Sequence, residues 1–89
     1  MKAVITVTGK DTVGIIASVS AECAKFGANI VEISQSVLDE YFAMIMLVDI
    51  KELSIKFVDF ADGLAELGRE KNLDIRAMHE DIFNSMHRI

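Results

Sequence analysis

Apolar and polar positions follow two different periods along this chain, and the switches between them mark out its elements. Ala3 to Val7 reads Ala-Val-Ile-Thr-Val, a short β-branched segment that stops at the turn signal Thr8-Gly9-Lys10-Asp11. This predicts a first strand. From Val13 to Phe26, the residues Ile16, Val19, Cys23 and Phe26 recur at spacings of three and four, with Ser18, Glu22 and Lys25 off the stripe. This predicts an amphipathic helix, and Gly27 stands where a left-handed residue follows a last helical turn. Asn29 to Leu38 is rich in strand formers, breaks at Asp39-Glu40, and is followed by a second such run from Tyr41 to Ile50, so the two make a hairpin. Ser54 is placed to cap a second helix whose stripe is Phe57, Phe60, Ala61, Leu64 and Leu67, closed by Lys71-Asn72. Leu73, Ile75 and Ala77 then alternate with Asp74, Arg76 and Met78 as a half-buried strand. A last helical segment carries Ile82, Phe83, Met86 and Ile89.

The order β, α, β, β, α, β plus a terminal helix predicts the α+β class: a ferredoxin-like βαββαβ sandwich, its antiparallel four-stranded sheet covered by two helices on one face. The length, 89 residues, fits one domain over 1–89, with a core at 2–78 and a helix at 80–89. One segment breaks the two-layer pattern. Tyr41 to Ile50 is apolar on both faces, with Phe42, Met44, Met46 and Val48 on one and Ala43, Ile45 and Leu47 on the other. The terminal helix, a second subunit or both must cover the second face, so a homodimer or higher homo-oligomer is expected.

Composition narrows the function classes. Hydrophobic residues make up 52% and charged residues 26%, enough for a core without staples. The net charge of −5 has the wrong sign for a nonspecific nucleic-acid binder, and the aromatic sheet motif of RNA-binding relatives of this fold is absent. A single cysteine, Cys23, makes neither an intrachain disulfide nor a thiolate zinc site, which points to a reducing, cytoplasmic setting. The longest apolar run, Phe42 to Val48, falls far short of the roughly 20 residues that span a bilayer, and no secretion signal is visible, so no membrane partner is expected.

The most informative stretch is Gly9-Lys10-Asp11-Thr12-Val13-Gly14-Ile15-Ile16. Its two glycines have P-loop spacing, yet Ile15 and Ile16 replace the lysine and hydroxyl residue that would clamp phosphate and magnesium. The opening turn of the following helix still offers free N–H groups and a partial positive charge, suited to a carboxylate, and Gly14 lacks the Cβ that would block its approach. Alternatively the turn is purely structural, with Asp11 or Thr12 capping the helix. Elsewhere chemistry is thin. Cys23 lies on the buried stripe, and Ser18 and Ser20 lack a nearby base in sequence. His79, Glu80, Asp81 and His87 are the one cluster with metal-ligand chemistry, but residues seven apart on a helix stand about 10 Å apart along its axis, too far for one ion. No catalytic residue, metal or cofactor is expected, and the chain reads as a non-enzyme.

Asp11-x-x-Gly14-Ile15-Ile16 after a β-branched strand, with Gly27-Ala28-Asn29-Ile30 just past the helix, closely resembles the ACT domain, a ligand-sensing module of amino-acid metabolism. The resemblance covers roughly Lys2 to Met78. The whole chain, with its His79-Glu80-Asp81-Ile82-Phe83-Asn84 ending, looks like the stand-alone bacterial ACT proteins, and more distantly like the sensing domains of the glycine cleavage repressor and formyltetrahydrofolate deformylase. The resemblance implies the same fold and a small amino acid held where two domains meet. It implies that backbone at Asp11, Thr12, Val13, Gly14 and Ile15 receives that ligand while Asn29 and Ile30 line the pocket. Val13 departs from the proline of many ligand-binding members, which leaves the turn less preorganised. The function expected is a non-catalytic, amino-acid-sensing regulatory module acting as a homodimer toward an effector protein. The alternative is an assembly domain with no ligand.

Overall fold

The computed structural model describes residues 1–10 and 14–87. Its elements run β1 (Lys2–Lys10), α1 (Ile15–Phe26), β2 (Asn29–Leu38), β3 (Tyr41–Asp49), α2 (Phe57–Lys71), β4 (Asp74–His79) and α3 (Glu80–Met86). The strands form one antiparallel sheet in the order β2-β3-β1-β4. This is the expected ferredoxin-like α+β sandwich with a terminal helix.

Paired residues in an antiparallel ladder share a face, so the register sorts the side chains. One face carries Ala3, Ile5 and Val7 of β1 beside Val48, Met46 and Met44 of β3 and Ile75 of β4. All are buried against Val19 and Cys23 of α1 and Phe60 and Leu64 of α2. Phe26 meets Phe60 edge to face at 6.4 Å, joining the two helices over the sheet. The opposite face carries Val4, Thr6 and Thr8 beside Leu47, Ile45 and Ala43. There Ile45 and Ala43 are exposed, whereas Val4 is 4% exposed although it points away from α1 and α2. α3 packs on β1 and β4 at that end, and it supplies the cover. The terminal helix thus covers the second face over β1 and β4, while Tyr41, Ala43 and Ile45 of the apolar segment Tyr41 to Ile50 stay exposed.

Several local expectations need correcting. β1 runs on to Lys10 rather than stopping at Val7, because its neighbour β3 keeps Thr8, Gly9 and Lys10 paired opposite Ala43, Phe42 and Tyr41. α1 starts at Ile15 with Gly14 as its N-cap, which turns Ile15, not Ile16, into the core beside Val19 and Cys23. α2 starts at Phe57, not beside Ser54. Ser54 instead donates from its backbone N–H and its Oγ to the Phe26 carbonyl at 2.8 and 3.2 Å, tying the loop to the end of α1. Gly27 ends α1 at φ 81°, left-handed as its position foretold, and α2 closes at Lys71-Asn72 as expected, with Asn72 at φ 61°. Ile89 of the expected terminal stripe lies outside the described residues.

Candidate functional site

Gly14 holds φ 79°, a conformation that costs most residues energy and glycine little. It caps α1 with no side-chain hydrogen bond, and the first turn of α1 contains no acidic residue. The N–H groups of Ile15, Ile16 and Ala17 thus lack intrahelical acceptors, since the first α-helical bond runs from Ser18 to the Gly14 carbonyl at 2.9 Å. Among the described residues, nothing lies within 4 Å of where a Gly14 Cβ would stand. Among the described residues, nothing covers this mildly positive helix start. Asp11, Thr12 and Val13, expected to complete this turn or to cap it, lie outside the described residues.

Asn29 and Ile30 are not beside it. They open β2 just past the C-terminal end of α1, and the twelve residues of that helix separate them from Gly14 by about 18 Å. Asn29 is exposed and pairs with Asp49, at the sheet end away from Lys10 and the hairpin tip, while Ile30 is half-buried against the core. Ile15 points into the core, so its backbone alone can serve a ligand.

The remaining candidates have structural employment. Cys23 is buried, and burial, with a smaller push from the Glu22 carboxylate, raises its thiol to about 11, which keeps it protonated and inert at neutral pH. The His79 ring stacks on Phe57 at 4.2 Å. His87 stacks on Phe83 at 4.1 Å, and its Nδ1 donates to the Phe83 carbonyl at 2.8 Å. Glu80 and Asp81 occupy the first turn of α3. Among the described residues, no group of three or more His, Cys, Asp or Glu converges as a metal site would. Sequence reasoning also passed over a hollow of about 330 Å³ on the open sheet face, bounded by Thr8, Ser36, Leu38, Tyr41 and Ala43. Its signal was the apolar pair Leu38 and Tyr41 flanking the hairpin turn.

Residues 2–77 match the ACT domain family. The chain belongs to that family. It is 49% identical to a UPF0237 protein of Clostridium perfringens over 89 residues, 100% of both chains. An ACT domain protein from Streptococcus pneumoniae superposes with a TM-score of 0.82 at 42% identity, over 98% of each chain. A formyltetrahydrofolate deformylase from Pseudomonas syringae shares the fold, with a TM-score of 0.78 at 23% identity, over 88% of this chain and 27% of that one. ACT domains are in general regulatory modules that bind small molecules. Among the described residues, no helix is long and apolar enough to cross a membrane.

Proposed function

We propose that this ACT domain protein is a non-catalytic sensor that binds a small amino acid at a seam between two copies of the chain and presents the resulting homodimer to an effector protein in the cytoplasm. The observation that carries the reading is Gly14, whose left-handed backbone presents the first amides of α1 with none of the described residues covering them, a setting suited to an amino-acid carboxylate. The amide of Asn29 pairs with the ligand's ammonium and carboxylate beside Ile30. Because Gly14 and Asn29 occupy opposite ends of α1, one small ligand reaches both only if they come from different chains.

The outer edge of β2 supports such a pairing. It is ten residues long, exposed, free of lysine and proline, and bears Val31, Ile33, Val37 and Leu38 as exposed apolar residues, with a bulge between Ile30 and Glu32. Edges of this kind favour pairing with another chain. Two β2 edges aligned antiparallel bring the start of one strand, with Asn29, toward the end of the other, where the Gly14 turn stands.

Thermal unfolding against all twenty amino acids tests the reading. A ligand at 100 times its Kd adds about 2.7 kcal/mol, so the midpoint should rise by about 10 °C or more for one or two of them. Asn29→Ala should abolish that rise while leaving the unliganded midpoint unchanged. Flat curves for all twenty at millimolar concentration would reject sensing and leave an assembly domain.

A further inference from the structure

We infer that the open face of the sheet is a second docking surface, on which each copy receives the terminal helix of another copy in the hollow beside its hairpin. Three observations carry this. First, the open face is self-complementary. At one end α3 lies over Val4 and turns Ile82 and Met86 outward, 51% and 60% exposed. At the other end the hollow of about 330 Å³ has a floor of small residues, Thr8, Ser36 and Ala43, and walls made by Leu38 and Tyr41, 75% and 52% exposed. Knobs and hole belong to the same chain, but α3 packs on β1 and β4 near Val4 and does not line the hollow in its own chain.

Second, the symmetry closes. A two-fold axis lying across the strands at their middle places the α3 end of one sheet over the hairpin end of the other. The middle of the β1–β3 ladder is the pair Thr6 and Ile45, and Ile45 is an exposed apolar residue at that centre. Two α3 helices then form one layer between two sheets, meeting over Ile45, and each supplies Ile82 and Met86 to its partner's hollow. The contact is isologous and ends at two copies, so it does not propagate into fibres.

Third, the area suffices. Leu38, Tyr41, Ile45, Ile82 and Met86 together expose roughly 500 Å² per copy, or about 1,000 Å² for a pair, which reaches the size at which specific interfaces begin. The surface takes Ser36 and Leu38 from β2 but leaves that strand's outer backbone edge free, so a chain that uses both, with the two two-fold axes crossing at right angles, forms a closed particle of four.

Light scattering at micromolar concentration should therefore give a particle about four times the 9.8 kDa chain. The double variant Ile82→Glu with Met86→Glu, which changes two exposed side chains and should keep its circular dichroism spectrum, should halve that particle. A wild-type pair that this variant dissociates to single chains would uphold this surface and refute the β2 edge. A wild-type pair, or a particle of four, that survives the variant intact would refute this surface and leave the β2 edge standing. Mixing Met86→Cys protein with Ala43→Cys protein under mild oxidation gives an independent readout. A disulfide joining the two introduced thiols across chains is expected, and its absence from the peptide map overturns the docking.

Discussion

Backbone oxygens decide which glycines can change. A Cβ at Gly27 would stand 2.5 Å from the Glu52 carbonyl oxygen on a residue already at φ 81°, and one at Gly68 would stand 2.7 Å from that of Leu73. Neither oxygen can swing aside. Gly63 lies on the same helix as Gly68, yet its Cβ would meet nothing nearer than the movable Glu22 Oε2 at 3.4 Å. Gly63→Ala is therefore expected to stabilise the fold by about 0.5 to 1 kcal/mol, whereas Gly27→Ala should cost about 2 kcal/mol or more, both read from urea midpoints at constant slope. The Cys23 thiol supplies a pH signature. Its ordinary value of 9.0 is raised to about 11 in the fold by burial first and the Glu22 carboxylate second. Above pH 9 the unfolded chain gives up a proton that the folded chain keeps, so stability falls as pH rises from 9 toward 11, by about 1.4 kcal/mol per unit. Cys23→Ala lacks this contribution and should lose less stability than the wild type over that interval. The left-handed stop at Gly27 and the close of α2 at Lys71-Asn72 were legible because local chain chemistry dictates them. The exchange of Ile16 for Ile15 in the core was not, because moving a helix start by one residue rotates its phase by about 100°, and the cap that sets the phase is a backbone property.

Among the elements, the terminal helix makes a sharp test because it belongs to neither layer of the sandwich. A chain ending at His79 should keep its sheet and both large helices while uncovering Val4, at a cost of about 1.5 to 3 kcal/mol. Chemical denaturation would show a lower midpoint with native circular dichroism at zero denaturant, and a cost near zero would mean that α3 does not cover the sheet. The sequence pattern revealed this helix and named it as one candidate cover for the second face, but not that it packs on β1 and β4, since a seven-residue amphipathic stretch carries no record of the strands it meets. Ser54 teaches a similar lesson. A hydroxyl ahead of an apolar stripe reads as a cap, but the structure spends it 28 residues away on Phe26, a contact that only the packing of α2 against α1 creates. β1 was underestimated for a related reason. Thr8-Gly9-Lys10 is a turn by local preference, and two flanking strands override that preference at the centre of a sheet.

At the scale of the molecule, the layers and strand order followed from the alternation of periods, while the candidate site did not, because its halves sit at opposite ends of α1 and only a second chain can join them. One consequence of the strand order concerns how the protein is made. β1 precedes both of its neighbours in the chain yet ends in the middle of the sheet, so β3 and then β4 are synthesised after it. A nascent chain short of Asp74 therefore holds its opening strand with one flank bare, however well the hairpin has formed. Completion waits on contacts between β1 and β4, which are far apart in sequence, the kind of distant closure that slows folding. Until β4 is in place, the free flank of β1 exposes unpaired backbone groups that favour pairing with any other strand.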